Sequence, residues 1–166
     1  MSHELTFSTA LGRLHLAWTT EGICLLRFTK GLAREEASVT PAFVQDALRR
    51  LMAHLAGHPQ DLRSIPLDLS YLSPFQLKVA EVLRATTPGQ TLSYSDVALL
   101  AGRPGAARAV GQAVKANPVL ILVPCHRVVA AKGPGGWSAF GSPERKARLL
   151  ALESPHTGGH AAPLSG

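Results

Sequence analysis

The chain has 166 residues, 46% hydrophobic and 17% charged, so it can bury a core and is not a disordered chain. No stretch approaches the roughly 20 apolar residues that span a bilayer, and Met1-Ser2-His3-Glu4 lacks the basic-then-apolar pattern of a secretory leader. The net charge of +6 is uneven: residues 1–72 hold seven basic and seven acidic side chains, residues 73–153 ten and four. An intracellular, cytoplasmic protein without membrane contact is expected. A localised positive excess is what a polyanion-binding face requires, although a solubilising surface gives the same count. The two cysteines, Cys24 and Cys125, are too few for a disulfide framework and are expected to be reduced.

Residues 5–29 read as a hairpin: Leu5-Thr6-Phe7, a turn at Gly12, Leu14 to Trp18, a turn at Glu21-Gly22, then Ile23 to Phe28. Pro41 to Ala56 is an amphipathic helix with Phe43, Ala47, Leu48, Leu51 and Leu55 at helical spacing, stopped by Gly57-His58-Pro59. Ile65 to Leu69 reads as an edge strand, because Pro66 cannot donate to a central ladder. This half is a small α/β unit without visible chemistry. From Ser73 the pattern turns helical. Ser73-Pro74 caps a helix over Phe75–Arg84, and Ser93 to Asp96 caps a short helix over Val97–Leu100. After Gly102 and Arg103-Pro104-Gly105, Ala106 to Ala116 forms the next helix, so the pair has the outline of a helix-turn-helix. Leu120 to Val123 reads as an apolar strand, and Ser142 caps a last helix to Glu153 that points Leu149, Leu150 and Leu152 inward. The uncharged tail after it is expected to be mobile.

The informative segment is Val123-Pro124-Cys125-His126-Arg127-Val128-Val129. Cys24, inside an apolar run, reads as a buried filler. Cys125 follows a proline that keeps Val123 extended, and it is flanked by an imidazole and a guanidinium that favour a thiolate. In an extended segment neighbours point to opposite sides, so His126 is expected to act on the sulfur through water or a turn. A histidine used this way needs an acid to orient it, and Glu153 is the candidate.

Pro124-Cys125-His126-Arg127-Val128 resembles the motif of the O6-alkylguanine-DNA alkyltransferases, the methylated-DNA–protein-cysteine methyltransferases. Ser73-Pro74-Phe75-Gln76, Pro88 to Tyr94, Gly105 to Gly111 with Asn117-Pro118, and Glu144 to Glu153 are similar to further segments of that family, so the likeness covers about residues 73–153 closely. The resemblance implies an α+β protein with three parts: a structural α/β domain over 1–72, an alkyl-accepting DNA-binding domain with a winged helix-turn-helix over 73–153, and a tail over 154–166. It implies irreversible, single-turnover transfer of an alkyl group from O6-alkylguanine, with O4-methylthymine a further candidate, to Cys125. His126 and Glu153 would keep Cys125 as thiolate, and Tyr94 would protonate the leaving guanine. Arg108 would fill the gap left by a base flipped through the minor groove. Ala106, Ala107 and Gly111 would give a thin helix face against that groove, and Asn117 would hold this helix to the cysteine loop. The carbonyls of Cys125 and Val128 would read the guanine amino group, while Trp137 and Ser138 would complete the pocket and Phe140 would narrow it. The loop after Val129 differs in length from the family pattern. The partner implied is double-stranded DNA carrying alkylated guanine, bound by a monomer that needs no cofactor and no metal.

Four other readings compete. A lesion-binding relative without transfer chemistry would carry another residue at position 125. A cysteine hydrolase leaves the basic half unexplained. A transcription regulator is favoured only by the helix pair. A metal site at His54 and His58 meets a helix broken by Gly57 and Pro59. The repair reading is expected to require the Cys125 sulfur at the floor of a base-sized cavity beside the second helix of the pair; a thiol sealed in the core, or facing away from the basic surface, is expected to overturn it.

Overall fold

A computed structural model describes residues 3–31, 39–130 and 142–154. Strands β1 (His3–Thr9), β2 (Gly12–Trp18) and β3 (Ile23–Phe28) form an antiparallel sheet in the order β1-β2-β3. The expected hairpin is thus a three-stranded meander. Period-two alternation sends Leu14, Leu16 and Trp18 to one buried face. Helix α1 (Ala42–Leu55) buries Val44, Ala47, Leu51 and Leu55 at helical spacing, together with His54.

The expected edge strand at 65–69 is only a single bridge between Leu67 and Ile23. The carbonyl of Pro66 accepts from the Ile23 N–H, and the Asp68 N–H donates to the Ile23 carbonyl. Proline has no N–H with which to carry the ladder further. The same strand holds a second single bridge, Leu26 with Val119, where the Leu26 N–H reaches the Pro118 carbonyl and the Leu120 N–H reaches that of Leu26. Strand β3 therefore anchors the chain just upstream of Cys125.

Helix α2 (Pro74–Arg84) starts in a capping box in which Ser73 and Gln76 satisfy each other's backbone N–H groups. Strand β4 (Leu92–Ser93) leads into α3 (Tyr94–Leu100), which begins three residues earlier than expected because Ser93 itself is the cap, boxed with Asp96. A turn through Gly102 and Gly105, both at positive φ, joins α3 to α4 (Ala107–Lys115). Arg103 in that turn lies over the Phe75 ring at 4.7 Å, tying it to α2. Strand β5 (Val128–Val129) pairs in parallel with β4, and α5 (Pro143–Glu153) is capped by Ser142. In α5, Leu149 is buried while Leu150 and Leu152 are half-buried. Arg145 clasps α5 to the sheet, donating to the Leu11 carbonyl at 3.0 Å and covering Phe28 at 4.0 Å.

The apolar strand expected at 120–123 is not formed. Ile121 has φ +73°, which a β-branched residue rarely adopts. The Leu122 N–H turns back to the Leu120 carbonyl, and the Val123 N–H to that of Val119. The Asn117 side chain takes the Val119 N–H and the Val123 carbonyl, so these groups have no need of a strand partner. The buried apolar side chains form one cluster that runs from Leu11 in the first turn to Leu149 in the last helix.

A tight backbone approach at Gly22 gives a test of this packing. A Cβ at Gly22 would stand 2.7 Å from the backbone of Pro66 and Leu67. Gly22→Ala must push the 65–69 segment off β3, costing about 1–3 kcal/mol. Urea unfolding should show a lowered midpoint, whereas Gly102→Ala, which meets no atom, should show only the smaller cost of its positive φ.

Candidate active site

The turns that replace the strand deliver Cys125, His126 and Arg127 on a three-residue 3₁₀ turn behind Pro124. The segment is not extended, so the expected opposition of neighbouring side chains does not apply. His126 points its ring to the end of α5, where Nε2 donates to Glu153 Oε1 at 2.8 Å. Arg127 embraces the same carboxylate, with Nε 2.9 Å from Oε1 and Nη2 2.8 Å from Oε2, and its Nη1 donates to both oxygens of Thr86. A fourth donor, His54 Nε2 from α1, reaches Oε2 at 2.8 Å. His126 and His54 are fully buried, and Glu153 and Arg127 nearly so.

Burial alone would raise the Glu153 pKa, but His126, His54 and Arg127 overcome it and hold the carboxyl below the ordinary carboxylate range. Burial lowers the His126 pKa, opposed by Glu153. The imidazole is therefore neutral at pH 7, with its proton on Nε2 and its basic lone pair on Nδ1.

The cysteine sulfur is held differently. Asn117 Nδ2 donates to Sγ at 3.0 Å and to the Val123 carbonyl at 2.9 Å. Lys146, buried on α5, donates through Nζ to the Val128 carbonyl at 2.8 Å. Burial pushes the thiol up to about 12, against the Asn117 hydrogen bond, the Lys146 charge and the backbone N–H groups of Cys125 and His126. Burial also brings Lys146 down to about 8, opposed by Cys125.

Two expectations are corrected here. Cys125 is 0% exposed, not the floor of an open cavity, and it is a thiol at neutral pH, not a preformed thiolate. The cause is the same for both: desolvation disfavours the charged sulfur. A cavity of about 170 Å³ lies behind the turn, lined by Thr86, Pro124 and Arg127, and Cys125 does not line it. Val128 is buried, and the carbonyls of Cys125 and Val128 already accept from the Val128 N–H and from Lys146. Each keeps a second lone pair for a base.

The remaining expected residues lie along α3 and α4. Tyr94 opens α3, and a Cβ on Gly111 would stand 3.9 Å from its ring. Ala106, Ala107 and Gly111 are half-buried, while Arg108 is exposed on the same helix and has no partner among the described residues. Trp137, Ser138 and Phe140, the loop that departs from the family pattern, and the tail beyond Ser154 lie outside the described residues.

Sequence reasoning missed three contributors. In the sequence Arg127 reads as a general cation, and the structure makes it the bidentate partner of Glu153. Lys146 carried no signal beyond its place four residues before Leu150 in an amphipathic helix. In the sequence His54 suggests only a metal ligand, yet both its ring nitrogens are engaged, one by Glu153 and one by the Gln60 N–H. A histidine among apolar helix positions was the one visible hint.

The site is a buried thiol on a turn whose next two residues hold a saturated carboxylate, set on a mixed α/β scaffold with a paired-helix element. Residues 74–155 match the family described as 6-O-methylguanine DNA methyltransferase, DNA binding domain. A methylated-DNA–protein-cysteine methyltransferase of Mycolicibacterium paratuberculosis is 38% identical over 156 residues, 92% of each chain. One of Metallosphaera sedula is 35% identical, covering 89% of this chain and 90% of its own. Among solved structures, Mycobacterium tuberculosis OGT in complex with DNA superposes with a TM-score of 0.76 at 35% identity, over 91% of this chain and 92% of that one. The chain belongs to the methylated-DNA–protein-cysteine methyltransferase family.

Two measurements check the site. Glu153→Gln leaves Arg127 as a buried cation without its counter-charge, which should cost about 3–5 kcal/mol. Because the folded Glu153 pKa is depressed, its contribution is present above the ordinary carboxylate pKa and fades as pH falls below it. The gap between parent and variant in urea midpoint should therefore narrow on acidification; a constant gap from neutral to acid pH would remove the charge argument. Separately, iodoacetamide at pH 8 should label the half-buried Cys24 well before Cys125 in the native chain, and the order should vanish on unfolding.

Proposed function

We propose that this chain repairs alkylated DNA by moving the alkyl group of O6-alkylguanine in a duplex onto Cys125, once and irreversibly. The observation that carries the reading is the placement of the Cys125 sulfur. It is 3.0 Å from Asn117 Nδ2, on the turn whose next two residues lock onto Glu153. The likeness to a DNA-bound relative supports the partner.

In this reading the helix pair α3–α4 is a winged helix-turn-helix that docks its thin face, Ala106, Ala107 and Gly111, in the minor groove. A base inside the stack cannot reach a buried sulfur, so the lesion is extruded at a cost of a few kcal/mol. Arg108, exposed and without a partner among the described residues, offsets the loss by entering the vacated stack. Docking uncovers the thiol, which is otherwise closed and protonated.

The Cys125 proton passes to the basic nitrogen of His126, whose other nitrogen stays bonded to Glu153. The sulfur electron pair attacks the alkyl carbon, the C–S bond forms and the C–O6 bond breaks. Its electrons leave on guanine, which takes a proton from Tyr94 and stays in the DNA. Lys146 and Asn117 favour the anionic sulfur at the moment of attack. A thioether offers water no leaving group, so the protein acts once. Domain roles follow the same reading: residues 1–72 support, residues 73–153 bind DNA and accept the alkyl group.

A thiol closed in the free protein does not overturn this reading, because docking can uncover it; binding without transfer is the alternative, and one experiment separates the two. The protein is incubated with a duplex holding one O6-methylguanine, and its intact mass is followed. One methyl should appear on the Cys125 peptide and saturate near one equivalent, with Cys125→Ser inert. Binding without a mass shift, continued turnover, or label on Cys24 would refute transfer to Cys125. Arg108→Ala should slow repair of the duplex far more than reaction with free O6-benzylguanine; equal losses would remove the finger role.

A further inference from the structure

His54 lies outside residues 74–155, the part of the chain that matches the family's DNA-binding domain. It sits in the last turn of α1, 99 residues before Glu153 in the chain, and none of its surface is exposed. The Gln60 N–H donates to its Nδ1 at 3.0 Å. A ring nitrogen that accepts carries no proton, so the ring is neutral and its proton is on Nε2, 2.8 Å from Glu153 Oε2. The backbone of the loop after α1 thus fixes both the tautomer and the aim of the donor.

Glu153 needs such support. It is the last residue of α5, and Ser154 has already left the helix with ψ 142°. Helix ends fray, so α5 alone does not hold this carboxylate still. Arg127 grips both oxygens, but it belongs to the same short turn as Cys125 and His126 and moves with them. Among the described residues, the charged and titratable groups on Glu153 are His54 from α1 and His126 and Arg127 from the turn, while Lys146, two helical turns earlier on α5, faces the Val128 carbonyl. Among the described residues, only His54 reaches the carboxylate from an element that contains neither the acid nor the thiol.

From this geometry we infer that His54 is a positioning residue for alkyl transfer: it fixes the Glu153 carboxylate against His126 and so couples the first helix to the reactivity of Cys125. The inference rests on the proposed function, in which Cys125 is the acceptor and His126 takes its proton. Without the His54 donor, Oε2 is held by Arg127 alone and the carboxylate can turn from His126. The imidazole then loses the negative partner that supports its basicity, and the sulfur loses its proton less readily.

Two side chains separate the two bonds of His54. His54→Asn places an amide oxygen near the position of Nδ1, keeping the Gln60 bond but falling short of Glu153. His54→Gln places an amide nitrogen near the position of Nε2, keeping the donor to Glu153. The reaction of each with free O6-benzylguanine is followed by intact mass from pH 6 to 9, which leaves DNA binding out of the measurement. Loss of the hydrogen-bond partner that orients a metal-bound histidine commonly costs about 10–100-fold, and the low end of that range is the guide for a partner one bond further out. His54→Asn should slow alkylation at neutral pH by roughly tenfold and move its pH profile upward, while His54→Gln stays close to the parent. Gln60→Pro, which deletes the N–H without touching the histidine, should move the profile in the same direction and answers the question if His54→Asn does not fold.

A parent protein that does not alkylate Cys125 overturns the proposed function itself. A reactive parent with an unshifted or downward-shifted profile in His54→Asn and Gln60→Pro overturns only the positioning role. Equal slowing in His54→Gln and His54→Asn does so as well.

Discussion

The structure depends on one buried carboxylate. Glu153 accepts four hydrogen bonds, two on each oxygen, from His126, His54 and the fork of Arg127. A charge this deep is tolerable only when every lone pair is met, since an unpaired buried ion costs several kcal/mol. The requirement fixes geometry as well as energy. It closes α5 onto the cysteine turn and α1 onto α5, and through Nη1 of Arg127 it reaches Thr86 at the end of α2. The last helix, the first helix and the reactive turn are therefore parts of one polar knot inside an apolar core.

Around the sulfur the arrangement is of the opposite kind. Asn117 bridges the Val119 N–H, the Val123 carbonyl and Sγ, so one amide shapes the turn and holds the thiol. Desolvation keeps that thiol protonated, while Lys146 and two backbone N–H groups stand ready to favour the anion. In the proposed reaction these opposing terms make the nucleophile inert until a base reaches it. A cysteine that can be spent only once gains from being closed to other alkylating agents, and burial supplies that closure without a dedicated group.

Other basic side chains of this half, by contrast, stay at the surface. Arg103 and Arg108 are exposed on the turn and helix that follow α3, with Arg103 braced on Phe75. Charges left in water cost little to keep and can change partners when a polyanion arrives. The molecule thus separates its charged groups by task, with saturated ones fixing the site and solvated ones facing outward.

The sequence by itself determined much of the local structure and singled out the cysteine that the proposed reaction uses. Caps at Ser73, Ser93 and Ser142, turns at Gly12 and Gly22 and the apolar periodicity of α1 act within a few residues, so they are legible without knowing the fold. The run Pro124 to Val128 marked the cysteine, and Glu153 was the acid expected for His126. What failed were the segments whose shape is set by distant partners. Leu120 to Val123 has the composition of a strand, and the side chain of Asn117 bends it into turns; Ile65 to Leu69 is limited to one bridge by Pro66. Only the tertiary structure placed His54 on Glu153, because no periodicity records a bond between residues 54 and 153. It alone decided that the thiol is closed and protonated, since a pKa follows from burial and neighbours, and both are properties of the folded chain.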